Sequence, residues 1–75
     1  MSEIGLRAAR AIREMLEVNG TTLAFELDCL NLPHSRFWKY EHGRFNPSAE
    51  VLSSMAKLGY DIHYILTGER RKNAD

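Results

Sequence analysis

The sequence has a single cysteine and no long apolar run, and each shortage excludes a class of protein. Cys29 has no partner for an internal disulfide, which argues against a disulfide-stapled secreted domain and indicates a reducing compartment. No apolar stretch approaches the roughly 20 residues that a membrane-spanning helix needs. Residues 1–3 also lack the basic start of a signal peptide. The sequence therefore predicts a cytoplasmic protein that does not enter a membrane.

Catalytic and metal-binding motifs are also missing. The three histidines, His34, His42 and His63, lack the spacing of metal ligands, and one cysteine has no second cysteine to complete a zinc site. There is no glycine-rich phosphate loop and no paired-carboxylate motif. The sequence predicts a protein that is not an enzyme and that carries no metal or other cofactor.

The net charge is zero, because ten basic residues balance ten acidic ones. A strong nonspecific DNA binder is usually basic overall, so this balance argues against one. The distribution is uneven. Residues 34–44 carry Arg36, Lys39 and Arg44 against Glu41 alone, whereas residues 14–28 carry four acidic side chains and no Lys or Arg. A local basic face on a neutral body favours specific binding; the alternative is an ordinary solvated surface.

Apolar residues recur every three or four positions along most of the chain, and no segment alternates as a strand does. Caps and glycine stops divide this pattern into five short helices, the second of them capped by Thr21 or Thr22. With their caps and stops, the predicted helices cover residues 2–20, 21–30, 33–42, 48–59 and 61–68. The residues assigned to the core are Ile4, Ala8, Ile12, Met15, Leu16, Leu23, Leu27, Leu30, Val51, Leu52, Met55, Leu58, Ile62, Ile65 and Leu66. Arg7, Arg10 and Arg13 are placed on the solvent side of the first helix. The prediction is one all-α domain over residues 1–69, followed by a polar tail at 70–75.

The second and third predicted helices are separated by about three residues, as in a helix-turn-helix. Around them stand residues with a recognisable spacing: Thr22, Leu30-x-Leu32, Ser35-x-Phe37-x-x-Tyr40-Glu41-x-Gly43 and Asn46-Pro47-Ser48. This pattern resembles the DNA-binding domain of phage Cro and C1 repressors, also called the XRE family. The segment Tyr64-Ile65-Leu66-Thr67-Gly68-Glu69 is similar to the last helix of many phage and prophage regulators. The resemblance covers residues 4–69 and implies a compact, five-helix, lambda-repressor-like fold.

Two departures from the family pattern affect the expected contacts. Leu23 stands where the family usually has a Gln that binds the DNA backbone. The family Glu that matches Glu41 commonly pairs with an Arg of the first helix. That position is Leu16 in this chain, so Arg13, one turn earlier, is the expected substitute.

The third helix is predicted to bury Phe37, Tyr40 and Glu41 and to turn its opposite side outward. The N-terminal part of such a recognition helix enters the major groove, and the resembling family uses the matching positions to read DNA. The residues predicted to contact bases are His34, Ser35, Arg36 and Lys39. The residues predicted to contact phosphate are Thr22, His42 and Arg44. Two alternatives stay open: Arg36 and Lys39 contact phosphate only, or Thr22 serves only as a helix cap.

Aromatic residues near the predicted site and in the last helix have more than one interpretation. Trp38 either packs against a neighbouring element or contacts a thymine methyl group, a sugar or a protein partner. Phe45 is expected to be partly buried beneath the fourth helix. Tyr60, His63 and Tyr64 are predicted to form an exposed homodimer patch, because related phage domains pair through this region across a two-fold axis.

The leading hypothesis is a sequence-specific transcriptional regulator of phage or prophage type. It is expected to act as a homodimeric repressor on a short, pseudo-palindromic operator in double-stranded DNA. The alternative is a protein-interaction module on the same fold, such as an antitoxin or a partner-binding adaptor, with its partner docking near Trp38. A third and weaker option is an accessory domain of an enzyme. A continuous positive face around Ser35, Lys39 and Arg44 would favour DNA, and an apolar face centred on Trp38 would favour a protein.

Overall fold

The computed structural model describes residues 2–70, which form five α-helices and, within that range, no strand. In chain order the helices are α1 (Glu3–Asn19), α2 (Leu23–Cys29), α3 (His34–Glu41), α4 (Ala49–Lys57) and α5 (Ile62–Thr67). The prediction of an all-α five-helix domain is therefore confirmed. No helix within residues 2–70 has both the length and the apolar character to cross a membrane. Residues 71–75 of the predicted polar tail lie outside the described residues.

Side-chain caps fix the starts of four helices. In each case an oxygen accepts a hydrogen bond from a backbone N–H three residues on, which satisfies a donor that the first helical turn leaves unpaired. The caps are Ser2 for α1 (3.0 Å), Thr22 for α2 (3.2 Å), Ser48 for α4 (3.2 Å) and Asp61 for α5 (3.0 Å). Thr22 rather than Thr21 is therefore the cap of the second helix.

The turn between α2 and α3 is built on a non-glycine residue in the left-handed region. Asn31 has a φ of 53°, and its N–H donates to the Asp28 carbonyl at 3.0 Å. Asn adopts this conformation more readily than most residues because its short side chain bonds locally. Pro33 then stands at the N-cap of α3 without a side-chain cap bond. The predicted helix-turn-helix pair is present, with Asn31 at its turn.

The core lies around α1, which packs against α2, α3 and α5. Its buried apolar residues are Ala8, Ala9, Ile12, Leu27, Leu30, Leu32, Phe37, Tyr40, Met55, Tyr60, Tyr64 and Ile65. Two predicted core residues are wrong, since Leu58 is 49% exposed and Leu66 is 45% exposed. Leu58 caps the C-terminus of α4, beyond its apolar face. Leu66 lies about 200° around α5 from the buried Tyr64, so it points away from the core.

One carboxylate, that of Glu26, is buried in α2. It accepts hydrogen bonds from the Thr21 hydroxyl and from the Asn19 side-chain amide, the latter at 3.4 Å. Burial, reinforced by the nearby negative charge of Glu26, strongly raises the pKa of Tyr60. Burial also raises the pKa of Tyr40, against the opposing positive charge of Arg36. Neither tyrosine hydroxyl makes a hydrogen bond of normal geometry within residues 2–70.

We expect the folding stability to fall as the pH rises above about 10, the ordinary pKa of tyrosine. Below that pH, both the folded and the unfolded chain keep the protons of Tyr40 and Tyr60. Above it, the unfolded chain releases them while the folded chain, with its raised pKa values, retains them. Between the ordinary pKa and its raised pKa in the folded chain, each of the two tyrosines lowers the free energy of unfolding by at most about 1.4 kcal/mol per pH unit.

Urea denaturation at several pH values on both sides of about pH 10 measures this slope. A Tyr60→Phe variant should lose part of the slope, and a variant with Phe at both positions should lose most of it. An unchanged slope in the double variant would show that other groups cause the alkaline loss.

Candidate nucleic-acid interface

Two buried aromatic side chains and one ion pair hold α3 in place. Phe37 and Tyr40 lie in the core and fix the inner side of the helix. At its C-terminal end, the Arg13 Nε donates to the Glu41 Oε2 at 2.5 Å, and this hydrogen bond is the main reason that the pKa of Arg13 is raised. The Arg13 guanidinium also lies 5.3 Å from the centroid of the Phe37 ring. Arg13, the substitute considered for Leu16, therefore does pair with Glu41.

The loop after α3 is anchored to the start of α1. Gly43 ends the helix in the left-handed region, with a φ of 68°. The Ser2 N–H donates to the Gly43 carbonyl at 2.7 Å, and the Ser2 hydroxyl donates to the Asn46 side-chain oxygen. Gly5 lies against the Phe45 backbone so closely that a Cβ at this position would stand 2.1 Å from the Phe45 carbonyl oxygen. These contacts set the position of the loop relative to α3.

The Phe45 ring lies close to Lys39 and Arg36, two of the residues predicted to read bases. The Lys39 Nζ lies 4.5 Å from the centroid of the Phe45 ring, and the Arg36 guanidinium carbon lies 5.9 Å from it. Cations are attracted to the negative face of an aromatic ring at such distances. Phe45, which was expected to be partly buried beneath the fourth helix, keeps 42% of its surface exposed. The ring therefore gathers two positive charges beside the outer surface of α3.

The Trp38 ring contacts two of the residues predicted to bind phosphate, His42 and Arg44. Its ring stacks on the His42 ring with centroids 4.0 Å apart and an interplanar angle of 24°. The Arg44 guanidinium carbon lies 5.7 Å from the centroid of the indole. His42 Nδ1–H donates to the Trp38 carbonyl oxygen at 2.8 Å, which fixes the imidazole beside the indole. Trp38 thus packs against the end of its own helix and still remains 48% exposed.

We call the surface made by these two aromatic groups the α3 face. It consists of Arg36, Trp38, Lys39, His42, Arg44 and Phe45. His34 and Ser35 are exposed at the N-terminal end of α3. Thr22 is exposed at the start of α2, where its hydroxyl oxygen caps that helix. The structure brings four of the seven predicted DNA contacts together around Phe45 and Trp38. The aromatic pairing itself was not foreseen, because Phe45 and the cations above it meet only in three dimensions.

The predicted dimer patch is corrected by the structure. Tyr60 and Tyr64 are only 7% and 6% exposed and belong to the core, so they do not form an exposed aromatic surface. The Tyr64 hydroxyl accepts a hydrogen bond from Arg10 at 3.3 Å, and Arg70 covers the Tyr64 ring at 3.8 Å. Of the three residues, His63 alone is exposed. The rings turn inward because their large apolar surfaces are buried in the core that α1 and α5 share.

Within the part of the chain that the structure describes, no three His, Cys, Asp or Glu side chains come together as metal ligands would. Cys29 is exposed on α2. Comparisons with protein-family models, with curated proteins and with solved structures find no match to this chain. The α3 face is therefore interpreted from its own geometry.

Proposed function

We propose that this protein is a sequence-specific DNA-binding transcriptional regulator of phage or prophage type, of the class that the sequence resembles. One observation carries the proposal: Arg36, Lys39 and Arg44 project from α3 and its following loop beside exposed aromatic rings. Arg36 and Lys39 lie on the second helix of a helix-turn-helix pair, and Arg44 follows that helix. In proteins of this architecture the second helix enters the major groove. The net charge of zero over the whole sequence limits nonspecific attraction to DNA.

In this proposal the contacts are divided between bases and backbone. His34, Ser35, Arg36 and Lys39 face base edges, where Arg and Lys donate to guanine O6 and N7. Thr22, His42 and Arg44 lie against phosphates, which fix the register without reading the sequence. The cation–ring contacts support DNA binding by Arg36, Lys39 and Arg44, because they reduce the conformational freedom that these long side chains lose on binding.

The proposal also includes a homodimer that represses transcription from a pseudo-palindromic operator. Two α3 helices about 34 Å apart would fit half-sites one DNA turn apart. With Tyr60 and Tyr64 buried, the exposed residues of α5 that remain for pairing include His63 and Leu66. Sedimentation at about micromolar concentration, with and without DNA, tests this part. A monomer under both conditions would remove the dimer from the proposal.

Binding to duplex DNA chosen from a random library tests the proposal directly. We expect selected duplexes to bind at least about a thousandfold more tightly than unrelated DNA, with an affinity that falls steeply with salt. Lys39→Ala should weaken binding by about tenfold or more. Lys57→Ala removes the same charge from the exposed surface of α4 and should change affinity by less than about twofold. Weak binding that is indifferent to sequence would overturn the proposal.

One observation favours a second candidate, a protein-interaction module such as an antitoxin or adaptor. Trp38 is 48% exposed on the α3 face, and exposed tryptophan is enriched at protein interfaces. Leu23, in place of the backbone-binding Gln of the resembling family, points the same way. If DNA binding fails the test above, Trp38→Ala should abolish binding to the partner protein while Lys57→Ala should not.

A further inference from the structure

The exposed part of Trp38 on the α3 face is apolar, and the Arg44 guanidinium lies beside it. Trp38 lies midway along α3, one turn after the exposed His34 and Ser35. Stacking on His42 and the hydrogen bond from His42 to the Trp38 carbonyl hold the indole in place. A large, rigid aromatic surface that stays 48% exposed is suited to burying an apolar group of a ligand.

We propose that Trp38 contacts the C5-methyl group of a pyrimidine in the major groove, and so makes the protein prefer thymine or 5-methylcytosine at one position of each half-site. This inference rests on the proposed DNA-binding function. The C5-methyl group is the apolar group that base pairs present in the major groove, where the other features are hydrogen-bond donors and acceptors. The indole of Trp38 therefore matches that methyl group in chemistry, whereas its basic neighbours match phosphate and guanine.

The surrounding charges select DNA as the occupant of this surface. Arg44 lies 5.7 Å from the indole centroid, and Lys39 and Arg36 lie beside Phe45 on the same helix and loop. A polyanionic backbone fits these three cations by charge complementarity. With Arg44 and His42 against phosphates at the end of α3, Trp38 stands further toward the N-terminus of the helix, which is the end that approaches base edges.

The test uses the wild-type protein and a duplex selected from the random library. Each thymine is replaced singly by deoxyuridine, which removes the C5-methyl group and keeps base pairing. We expect one position in each half-site to lose about three- to fivefold in affinity, the effect of burying one methyl group. At that position, cytosine and 5-methylcytosine should differ by a similar factor.

Variants of Trp38 connect the effect to the residue. Trp38→Ala should bind the thymine and deoxyuridine duplexes equally, and Trp38→Phe should retain part of the difference. Tight binding of the parent duplex with no sensitive thymine would overturn this inference and leave the proposed function intact. A sensitive thymine that remains sensitive in Trp38→Ala would also overturn it. Failure to select any duplex would overturn the proposed function itself.

Discussion

A Gly5→Ala variant is expected to be about 2 kcal/mol less stable than the parent protein, although alanine is the better helix former. In an exposed helix this change gains about 1 kcal/mol. In α1 the new Cβ would stand 2.1 Å from the Phe45 carbonyl oxygen and 3.3 Å from its carbonyl carbon. Because the obstacle is backbone, no side-chain rotation relieves the clash.

The loop has little freedom to retreat from that clash. Ser2 holds it through a backbone bond to Gly43 at 2.7 Å and a side-chain bond to Asn46. Moving Phe45 outward also moves the ring on which Lys39 and Arg36 rest. We therefore expect Gly5→Ala to weaken DNA binding even under conditions in which the variant remains folded.

Urea denaturation measures the stability change, and the selected duplex measures the change in affinity. Ala56→Gly, an opposite exchange at an exposed position of α4, provides the comparison, with an expected loss of about 1 kcal/mol from backbone propensity alone. A Gly5→Ala variant that is more stable than the parent would show that the loop yields without cost.

The features that the sequence predicted well are those decided within a few residues. Ser2, Ser48 and Asp61 cap helices through bonds to the third residue onward, so their roles follow from residue type and position. The glycine stops at 20 and 68 are local in the same way, with φ values of 66° and 84°. The helical periodicity of apolar residues likewise placed all five helices near their observed bounds.

The features that the sequence missed depend on tertiary packing, that is, on which helices contact each other and at what angle. Periodicity identified the apolar stripe of α5 but not how far Tyr64 turns into the core or Leu66 out of it. Glu26 looked like a surface residue, yet its carboxylate is buried beside the α1–α2 turn. Such placements follow from the packing angles between helices, which residue spacing along one helix does not specify.

In the candidate site, too, the sequence predicted the local features and missed the tertiary contacts. The sequence identified the exposed cations of α3 and its loop from charge and helical phase. It did not identify Phe45 and Trp38 as the rings that contact them. Phe45 lies in a loop and carries no periodic signal, and the position of Trp38 in α3 left several partners open. The link between Arg13 and Glu41 was anticipated only because the resemblance supplied a partner for the glutamate.

Removing the side chain of Arg7 is expected to cost about 2 to 3 kcal/mol, although this residue appeared to lie on the solvent side of α1. Its Nε donates to the Ile65 carbonyl at 2.9 Å and a terminal nitrogen donates to the Leu66 carbonyl at 3.2 Å. These carbonyls belong to the last turn of α5, which has no intrahelical donors for them. The Arg7 side chain is only 17% exposed. Its guanidinium supplies two hydrogen bonds to α5 and places a positive charge at the negative end of that helix.

The planar shape of arginine makes this prediction specific. Arg7→Lys should recover less than half of the lost stability, because an ammonium group does not span two carbonyls as a guanidinium does. Arg10→Ala, one turn further along α1, removes the same charge and one long bond of 3.3 Å to the Tyr64 hydroxyl, so it should cost about 0.5 kcal/mol. Urea denaturation ranks the three variants, and hydrogen exchange should show the largest loss of protection in α5 for Arg7→Ala. Equal losses in Arg7→Ala and Arg10→Ala would mean that charge alone, and not the two carbonyl bonds, accounts for the role of Arg7.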